Sequence, residues 1–184
     1  MPDRADLRRR LLSERERYVG STDAARAESD LARELRGVVA TLEPQCLGLY
    51  WPQRGEFNAP AALLADEKGP KTRMALPFAR RTPRELHYRS WNGEAPDTLD
   101  ECGIATSSGD PVVPDVVLVP CVGYTADGFR LGYGGGYFDR WLALHPDVCA
   151  IGVAWSAARL DAEELASLPH DVPLALIVTE RGAI

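Results

Sequence analysis

Four glycines fall within five positions of this chain, and they are the feature that most constrains its fold. They are Gly132, Gly134, Gly135 and Gly136, and a short aromatic, amphipathic run follows at once. Glycine accepts positive φ and lets the backbone come close to a ligand, so successive amide N–H groups and a helix N-terminus can converge on an anion. The pattern predicts a phosphate-binding loop that opens a helix.

Charged residues bracket this glycine loop. Arg130 precedes it and Asp139 follows it. An arginine can hold phosphate oxygens bidentately, and an aspartate can hold the magnesium that accompanies them. The only two lysines, Lys68 and Lys71, lie far from the glycines, which excludes a Walker P-loop. Glycine runs also occur in tight turns and close helix–strand packing, but Arg130, Tyr137 and Asp139 in this order favour phosphate binding.

Hydrophobic periodicity divides the chain into alternating helices and strands. Helical spacing predicts helices at 7–18 and 31–42, and a third that begins at Asn58 and Pro60 and ends at Gly69. Apolar runs predict strands at six places: 46–51, 72–76, 85–91, 115–119, 148–154 and 174–178. This alternation predicts an α/β fold, a three-layer sandwich around a largely parallel sheet, with ligands at the carboxyl ends of the strands.

The length of the chain favours one domain. With 184 residues and 45% hydrophobic content, it fits a single domain over 1–184 that buries roughly 70% of the surface of its unfolded chain. The stretch 92–114 is rich in Gly, Pro, Ser and Asp and is longer than most connections. It predicts a mobile flap or a binding loop.

Charge and composition disfavour several classes of protein. The 27 acidic and 21 basic residues give a net charge of -6, which argues against nonspecific nucleic-acid binding, so an anionic ligand needs a local positive site. No run approaches the roughly 20 apolar residues of a membrane span, and the charged N-terminal segment lacks the apolar core of a signal peptide. The 4 cysteines are widely spaced and are interpreted as reduced thiols. We therefore expect a cytoplasmic protein.

The glycine loop and its flanks resemble the signature of the 5-formyltetrahydrofolate cyclo-ligase family, also called methenyltetrahydrofolate synthetases. The matching string is Arg-Leu-Gly-Tyr-Gly-Gly-Gly-Tyr-Phe-Asp-Arg at 130–140, and an apolar run at 117–120 precedes it. Other landmarks follow the order of the family along nearly the whole chain: Arg4, Arg8, the segment 50–56, His170 and Asp171.

The resemblance implies an ATP- and Mg²⁺-dependent ligase of one-carbon metabolism. Such an enzyme converts 5-formyltetrahydrofolate, with or without a polyglutamate tail, to 5,10-methenyltetrahydrofolate and releases ADP and phosphate. The γ-phosphoryl group would be transferred to the formyl oxygen, and N10 of the folate would then close the ring. We expect a monomer whose partner is this small-molecule substrate, with no nucleic-acid or membrane partner.

The same resemblance implies a nucleotide site. Arg130 and Tyr137 would be catalytic, and Asp139 and Asp171 would bind magnesium. The loop and two arginines spaced four apart on the first helix would hold ATP: Arg4, Arg8, Arg130, Gly132, Tyr133, Gly134, Gly135, Gly136, Tyr137 and Phe138. Arg4 stands where the family usually has lysine, so the charge is kept with a larger, planar head group. Taken alone, the two helix arginines also fit a solvated face, and Asp171 fits a turn cap.

A folate site is also implied. Its substrate contacts would be Tyr50, Trp51, Glu56, Tyr133, Gly135 and Tyr137. Glu56 would accept hydrogen bonds from N–H groups of the pterin, and Tyr50 or Trp51, with Tyr137, would stack on the flat rings of the folate. The segment 103–107 lacks the Glu-Pro that many relatives carry there, which predicts an altered substrate affinity or tail preference. Taken alone, Glu56 also fits an ordinary loop residue.

Two other functions stay open as alternatives. A Rossmann-type dinucleotide enzyme is disfavoured because the glycine spacing differs from G-x-G-x-x-G and because the loop lies far from the first strand. A noncatalytic folate-binding or regulatory protein of the same fold would have no need of Arg130, Asp139 and Asp171 together. ATP hydrolysis coupled to folate turnover separates the cyclo-ligase from this second alternative.

Overall fold

The computed structural model describes residues 3–65 and 72–184 and is built around a mixed β-sheet. Its α-helices are α1 (Arg4–Val19), α2 (Ala24–Leu42), α3 (Ala59–Leu64) and α4 (Tyr137–Leu144), with a 3₁₀ turn at Ser156–Ala158. The strands are β1 (Cys46–Gly48), β2 (Arg73–Arg80), β3 (Glu85–Trp91), β4 (Thr98–Leu99), β5 (Ala105–Thr106), β6 (Pro111–Val112), β7 (Val116–Pro120), β8 (Gly123–Tyr124), β9 (Arg130–Leu131), β10 (Cys149–Val153), β11 (Leu176–Thr179) and β12 (Gly182–Ala183).

Eight strands form the main sheet, in the order β12-β11-β10-β7-β1-β2-β3-β6. The central pairs, from β11 to β2, are parallel, whereas β12, β3 and β6 join antiparallel at the two sides. The prediction of a largely parallel α/β sheet is therefore confirmed. Two small antiparallel pairs, β4 with β5 and β8 with β9, lie outside the main sheet.

Helices cover both faces of this sheet. Neighbouring strand residues point to opposite faces, so one strand packs against helices on both sides. Leu118 and Ile151 pack with the buried residues of α2 and α3. Val117 and Ala150, one position earlier on the same strands, pack with Trp141 of α4 on the other face. This arrangement confirms the predicted three-layer sandwich. In a third cluster, which includes Leu7, Leu11 and Leu131, α1 packs against the segment that carries the glycine loop.

The start of α3 follows local capping rules. Asn58 is its N-cap and accepts a hydrogen bond from the N–H of Ala61 at 3.1 Å, and Pro60 lies in the first turn. The predicted start of this helix is confirmed. Its described residues reach Leu64, and the predicted end at Gly69 lies outside the described residues.

The stretch 92–114 contains the three short strands β4, β5 and β6. Asp100, which is buried, accepts hydrogen bonds from the N–H groups of Cys102 and Ile104, both at 2.8 Å. The N–H of Glu101 donates to the carbonyl of Ala79 on β2 at 3.1 Å. The stretch is thus attached to β2 beyond the point where β1 ends, while its role as a flap or binding loop stays a prediction. Across residues 3–65 and 72–184, no helix is long and apolar enough to cross a membrane.

Candidate functional site

The glycine loop lies beyond the carboxyl end of β7, where parallel α/β sheets bind ligands. Gly134 and Gly136 have φ values of +90° and +62°, and Gly136 is the N-cap of α4. The backbone conformation requires glycine at these two positions, because residues with a side chain rarely adopt such φ values. A methyl group on Gly135 would lie 2.7 Å from the ring of Tyr137, whereas one on Gly132 would have no heavy atom within 4 Å.

One cavity of about 330 Å³ borders this loop, and we call it the glycine-loop cavity. Its walls contain every residue that the sequence predicts to hold nucleotide or metal: Arg4, Arg8, Arg130, Gly132, Tyr133, Gly134, Gly135, Gly136, Tyr137, Phe138, Asp139 and Asp171. Pro120, Leu131, Leu168 and His170 complete the lining. Three arginines face two aspartates here, so the cavity has the local positive charge that an anionic ligand needs in an acidic protein.

Arg130 and Asp139 form an ion pair at the inner end of the cavity. Nη2 of Arg130 donates to Oδ1 of Asp139 at 2.7 Å, and Nη1 donates to the carbonyl of Val172 at 2.8 Å. The Arg130 side chain is 4% exposed and that of Asp139 is 24% exposed. The predicted phosphate ligand and the predicted metal ligand therefore contact each other directly.

Arg4 and Asp171 form a second pair, 167 residues apart in the chain. Nη2 of Arg4 lies 2.5 Å from Oδ2 of Asp171, which also accepts a hydrogen bond from the N–H of Leu168 at 2.8 Å. Burial alone would raise the pKa of Asp171, but the hydrogen bonds from Arg4 and Leu168 and the positive charge of Arg4 outweigh it, so the pKa lies below its ordinary value. Asp171 is thus held as a carboxylate at the rim of the cavity.

Arg8 has different surroundings from the other two cavity arginines. Its Nε donates to the carbonyl of Gly132 at 2.6 Å, and its guanidinium lies next to the backbone of Gly134. Among the residues that the structure describes, no carboxylate lies within 4 Å of this guanidinium. Burial, followed by the charge of Arg4, lowers the pKa of Arg8, as expected for a cation that lacks a counter-ion.

The glycine loop is braced from two sides. Nη2 of Arg140 donates to the carbonyl of Gly135 at 2.6 Å, and its Nε donates to the carbonyl of Arg84 at 3.1 Å. The hydroxyl of Tyr137 lies 3.3 Å from Sγ of Cys102, so the 92–114 stretch contacts the loop. The hydrogen bond with Cys102 and then burial raise the pKa of Tyr137.

Metal binding needs ligands beyond the protein at this site. In the described parts of the chain, no group of three or more His, Cys, Asp and Glu side chains could hold a metal ion. Asp139 and Asp171 are the carboxylates that line the cavity. Mg²⁺ is typically held by one or two carboxylates together with phosphate oxygens and waters, so the two aspartates in the wall of this cavity fit it, although they do not form a complete protein cage.

Tyr133 of the loop also contacts Arg15 and Glu56, which lie outside the cavity lining, and we call these three residues the buried cluster. Nη1 of Arg15 donates to the Tyr133 oxygen at 3.0 Å, and the Tyr133 hydroxyl donates to Oε1 of Glu56 at 2.7 Å. The side chains of Arg15 and Glu56 are each 5% exposed. Burial raises the pKa of Glu56, although hydrogen bonds from Tyr133 and the Gln53 N–H and the charge of Arg15 oppose that effect.

The predicted folate residues fall outside the walls of the glycine-loop cavity, apart from those on the loop itself. Glu56 contacts the loop through Tyr133. Tyr50 is 3% exposed and donates its hydroxyl to the carbonyl of Phe57 at 2.7 Å, so it is a core residue. Trp51 is half-buried, with its ring edge-on to that of Trp91 at 6.2 Å. Of these two aromatic residues, Trp51 is the one with surface to offer a ligand.

Sequence reasoning missed two arginines of the site. The sequence assigns Arg140 no role beyond the end of the motif at 130–140, and it assigns none to Arg15. A signal for Arg15 was present, because it follows Arg8 by seven residues and therefore lies on the same face of α1. His170, a landmark of the family resemblance, lines the cavity with a side chain that is 73% exposed.

The sequence matches a family model over nearly its whole length. The model is described as "5-formyltetrahydrofolate cyclo-ligase family" and matches residues 1–180. A 5-formyltetrahydrofolate cyclo-ligase of Mycoplasma pneumoniae is 38% identical over 76 residues, which cover 41% of this chain and 44% of that protein. One from Mycolicibacterium smegmatis is 32% identical over 127 residues, which cover 61% and 62%. The matched parts thus span less than two thirds of either relative.

Solved structures resemble the chain over more of its length. The structure of a 5,10-methenyltetrahydrofolate synthetase from Mycoplasma pneumoniae has a TM-score of 0.75 and 23% identity, and the match covers 97% of this chain and 99% of that one. The NMR structure of 5,10-methenyltetrahydrofolate synthetase from Aquifex aeolicus also has a TM-score of 0.75, with 24% identity and coverage of 98% and 91%. At these identities the likeness concerns the fold.

Proposed function

This chain belongs to the 5-formyltetrahydrofolate cyclo-ligase family, and from that premise we propose that it is an ATP-dependent ligase that converts 5-formyltetrahydrofolate to 5,10-methenyltetrahydrofolate. The observation that carries the proposal is the convergence of three arginines, a glycine loop, a helix N-terminus and two aspartates on one cavity. A protein that only binds folate has no use for this set. We also propose that the protein acts as a monomer in the cytoplasm.

The reaction needs a leaving group on a stable amide. The N-formyl carbon of the substrate resists attack by N10 of the same folate because resonance stabilises the amide. Transfer of the γ-phosphoryl group from ATP to the formyl oxygen releases ADP and turns that oxygen into a leaving group. N10 then bonds to the formyl carbon, the carbon–oxygen bond breaks, and inorganic phosphate leaves as N10 loses its proton. The task of the protein is mainly to position the reactants and to stabilise charge.

Arg8 is the side chain that we assign most directly to phosphate. It lies beside Gly132 and Gly134 and has no carboxylate partner within 4 Å among the described residues, so a phosphate would be its first counter-ion. The N-terminus of α4 adds unpaired N–H groups and the positive end of the helix dipole. Arg4 and Arg130 lie in the same walls and can turn from their aspartates toward phosphate oxygens.

Asp139 and Asp171, which both line the cavity, would hold Mg²⁺. When bound, the ion would neutralise negative charge on the phosphate oxygens. Each of the two aspartates pairs with an arginine. We propose that phosphate takes over the arginines and the ion takes over the carboxylates, so that Arg4, Arg130 and both aspartates have a partner of opposite charge before and after binding, and Arg8 gains one.

Folate would lie against the part of the loop that contains Tyr133 and Tyr137. Trp51 and Tyr137 offer aromatic surface for its rings, and Glu56, held by Tyr133, offers a carboxylate close to them. The contact between Tyr137 and Cys102 supports a place for the 92–114 stretch beside the same ligand.

The test is whether product forms only when three reagents are present together. Purified protein is mixed with 5-formyltetrahydrofolate, ATP and Mg²⁺, and methenyltetrahydrofolate is followed by its near-ultraviolet absorbance, with controls that lack ATP or metal. Product in the complete mixture alone would support the proposal. If folate binds and no product forms under any condition, the protein is a noncatalytic folate-binding member of the family.

Two arginines of α1 provide a matched pair of variants. Arg8 lines the cavity, whereas Arg10 forms an exposed ion pair with Glu164 at 2.8 Å. We expect Arg8→Gln to lower turnover by about 100-fold, because it removes a preorganised charge from the site of phosphoryl transfer. Arg10→Gln should leave turnover unchanged, since exposed pairs contribute little. Equal effects of the two substitutions would contradict the assignment of Arg8.

A further inference from the structure

The buried cluster has a fixed hydrogen-bonding direction. An arginine can only donate and an ionised carboxylate can only accept, so the phenol oxygen of Tyr133 must accept from Arg15 and its single proton must go to Glu56. The second guanidinium nitrogen of Arg15 donates to the carbonyl of Cys121 at 2.6 Å. The second oxygen of Glu56 accepts from the N–H of Gln53 at 2.8 Å. Every group in the chain of contacts therefore has a partner.

These contacts join three separate segments of the protein. Arg15 belongs to α1, Glu56 to the segment that follows β1, and Tyr133 to the glycine loop. The segment after β1 is itself fixed, because the carbonyl of Gly55 accepts a hydrogen bond from Nε1 of Trp155 at 3.0 Å. On the loop, Tyr133 lies next to Gly132 and Gly134, which line the cavity. Tyr133 thus connects the loop that lines the cavity to Glu56.

Tyr133 differs from its two partners in burial. The residue as a whole is 42% exposed, while its hydroxyl contacts two side chains that are each 5% exposed. The ring is therefore accessible to a ligand, but its polar end is held in the interior. Such an arrangement favours one orientation of the side chain, because turning it away would remove a hydrogen bond from the buried groups of both Arg15 and Glu56.

We propose that Arg15 and Tyr133 are positioning residues that couple the two substrate regions of the enzyme. Arg15 orients Tyr133, and Tyr133 ties the glycine loop to Glu56. The inference rests on the proposed function, because it assigns nucleotide to the cavity side of the loop and folate to the Glu56 side. A ligand that orders the loop on one side removes part of the ordering cost for the ligand on the other side, so the two bind with positive cooperativity.

The experiment measures that cooperativity by calorimetry. The Kd of 5-formyltetrahydrofolate is determined with and without a nonhydrolysable ATP analogue plus Mg²⁺, for the wild-type protein and for Tyr133→Phe. We expect the analogue to tighten folate binding at least about fivefold in the wild type, the low end of typical coupling, and by less than about twofold in Tyr133→Phe. Tyr133→Phe keeps the ring and leaves the Arg15 and Glu56 charges facing each other at 3.9 Å.

Two further variants separate positioning from general stability. Tyr124→Phe removes another phenol hydroxyl, 3.5 Å from the carbonyl of Ser156 and outside the cavity lining, and should keep the coupling. Arg15→Lys keeps the charge but loses the planar fork that reaches both Tyr133 and Cys121, and should lose the coupling. Removing the charge of Arg15 altogether would leave Glu56 buried and unpaired, which endangers folding.

The outcomes are distinguishable. Tyr133→Phe with wild-type coupling would overturn the inference, and so would a wild-type protein that binds both ligands independently; the proposed function would stand in either case. A wild-type protein that binds neither ligand would overturn both proposals. Loss of coupling in Tyr133→Phe and Arg15→Lys, with retention in Tyr124→Phe, would establish Arg15 and Tyr133 as the link.

Discussion

The two sides of the glycine loop use the same residue types for different purposes. On the cavity side, Arg4 pairs with Asp171; their side chains are 29% and 8% exposed, and both residues line the cavity. On the other side, Arg15 and Glu56 are each 5% exposed and meet through Tyr133. An accessible ion pair can exchange its partners for a phosphate and a metal ion. A buried ion pair has no access to other partners, so it holds the side chains that form it in one geometry.

The energetics of ion pairs support this division. The Arg4–Asp171 pair is partly buried but lines the cavity, so phosphate and a metal ion can replace the contacts that its two groups lose when the pair opens. Breaking a buried pair by removing one partner costs about 3–5 kcal/mol, because the remaining charge is left in the interior. A substitution on the cavity side should therefore change ligand binding, and one on the buried side should change stability or coupling.

Arg130 is the residue that most directly tests this comparison, because it lines the cavity and yet has a side chain that is only 4% exposed. We expect Arg130→Met to lower turnover at least about 100-fold and to lower the free energy of unfolding by about 3 kcal/mol. Steady-state kinetics and urea denaturation measure the two effects. Adding Asp139→Asn removes the carboxylate that was left unpaired, so the double variant should regain stability without regaining turnover. Near-normal turnover in Arg130→Met would refute its assignment to phosphate.

Substitution of Gly132 has the next largest expected effect, and it tests the cavity side of the loop alone. A methyl group there meets no protein atom within 4 Å, and the residue does not have positive φ. Gly132→Ala should therefore change the free energy of unfolding by less than about 0.5 kcal/mol. If phosphate occupies the space in front of this residue, overpacking should weaken nucleotide affinity about tenfold.

Gly37→Ala is the matched control for this experiment. Gly37 lies within α2 and also has open space around its missing methyl group, but it is far from the loop in the fold. The substitution should stabilise the helix by about 0.5–1 kcal/mol and leave nucleotide affinity unchanged. Unaltered nucleotide binding in Gly132→Ala would mean that the ligand does not approach the loop at this glycine.

Asp171→Asn tests whether the accessible pair exchanges partners. The substitution removes the charge that holds Arg4, so metal-free ADP should bind about two- to fivefold more tightly to the released arginine. The improvement that Mg²⁺ gives to ADP binding should decrease, because one metal ligand is lost. Glu164→Gln releases Arg10 from an exposed pair outside the cavity lining and should change neither value. Weaker binding of metal-free ADP to Asp171→Asn would show that the pair supports the site and does not compete with the ligand.

The sequence predicts the cavity side of the loop well because the sequence patterns that indicate it are local. The positive φ of Gly134 and Gly136 and the start of α4 follow from consecutive residues, and the apolar runs locate β3 at its observed ends. The strand predicted at 46–51 is shorter, ending at Gly48, although the N–H of Leu49 still donates to Ala75 on β2 at 2.8 Å. Propensity within a short apolar run does not determine where strand pairing stops.

The ion pairs and the buried cluster could not be predicted in the same way. Arg4 and Asp171 are 167 residues apart, and only the packing of α1 beside the loop brings them together. Arg15 looks like any surface arginine in the sequence, since charged residues surround it on α1. Its burial follows from the position of α1 against Cys121 and Tyr133, which is a tertiary property. For the same reason, Glu56 fits a loop residue when taken alone.

The smallest expected effect is a pH dependence that belongs to the buried side. Burial raises the pKa of Glu56, despite the opposing hydrogen bonds of Tyr133 and the Gln53 N–H and the charge of Arg15. The folded protein therefore binds the proton more tightly than the unfolded chain, whose glutamate pKa is about 4.3. Stability should fall as pH rises from this value through the raised pKa, with a slope of at most about 1.4 kcal/mol per pH unit.

Urea denaturation of the ligand-free protein between about pH 3.5 and 7 measures this slope, with Glu56→Gln as the variant that should lack it. Asp115→Asn is the control of opposite sign. Burial would raise the pKa of Asp115, but the N–H groups of Cys46 and Gln45, at 2.6 and 3.0 Å, outweigh it, so the pKa is lowered. Stability from Asp115 should be lost as pH falls below about 3.9. If wild type and Glu56→Gln have the same pH dependence, Glu56 is solvated like the carboxylates on the cavity side, and the contrast between the two sides of the loop does not hold.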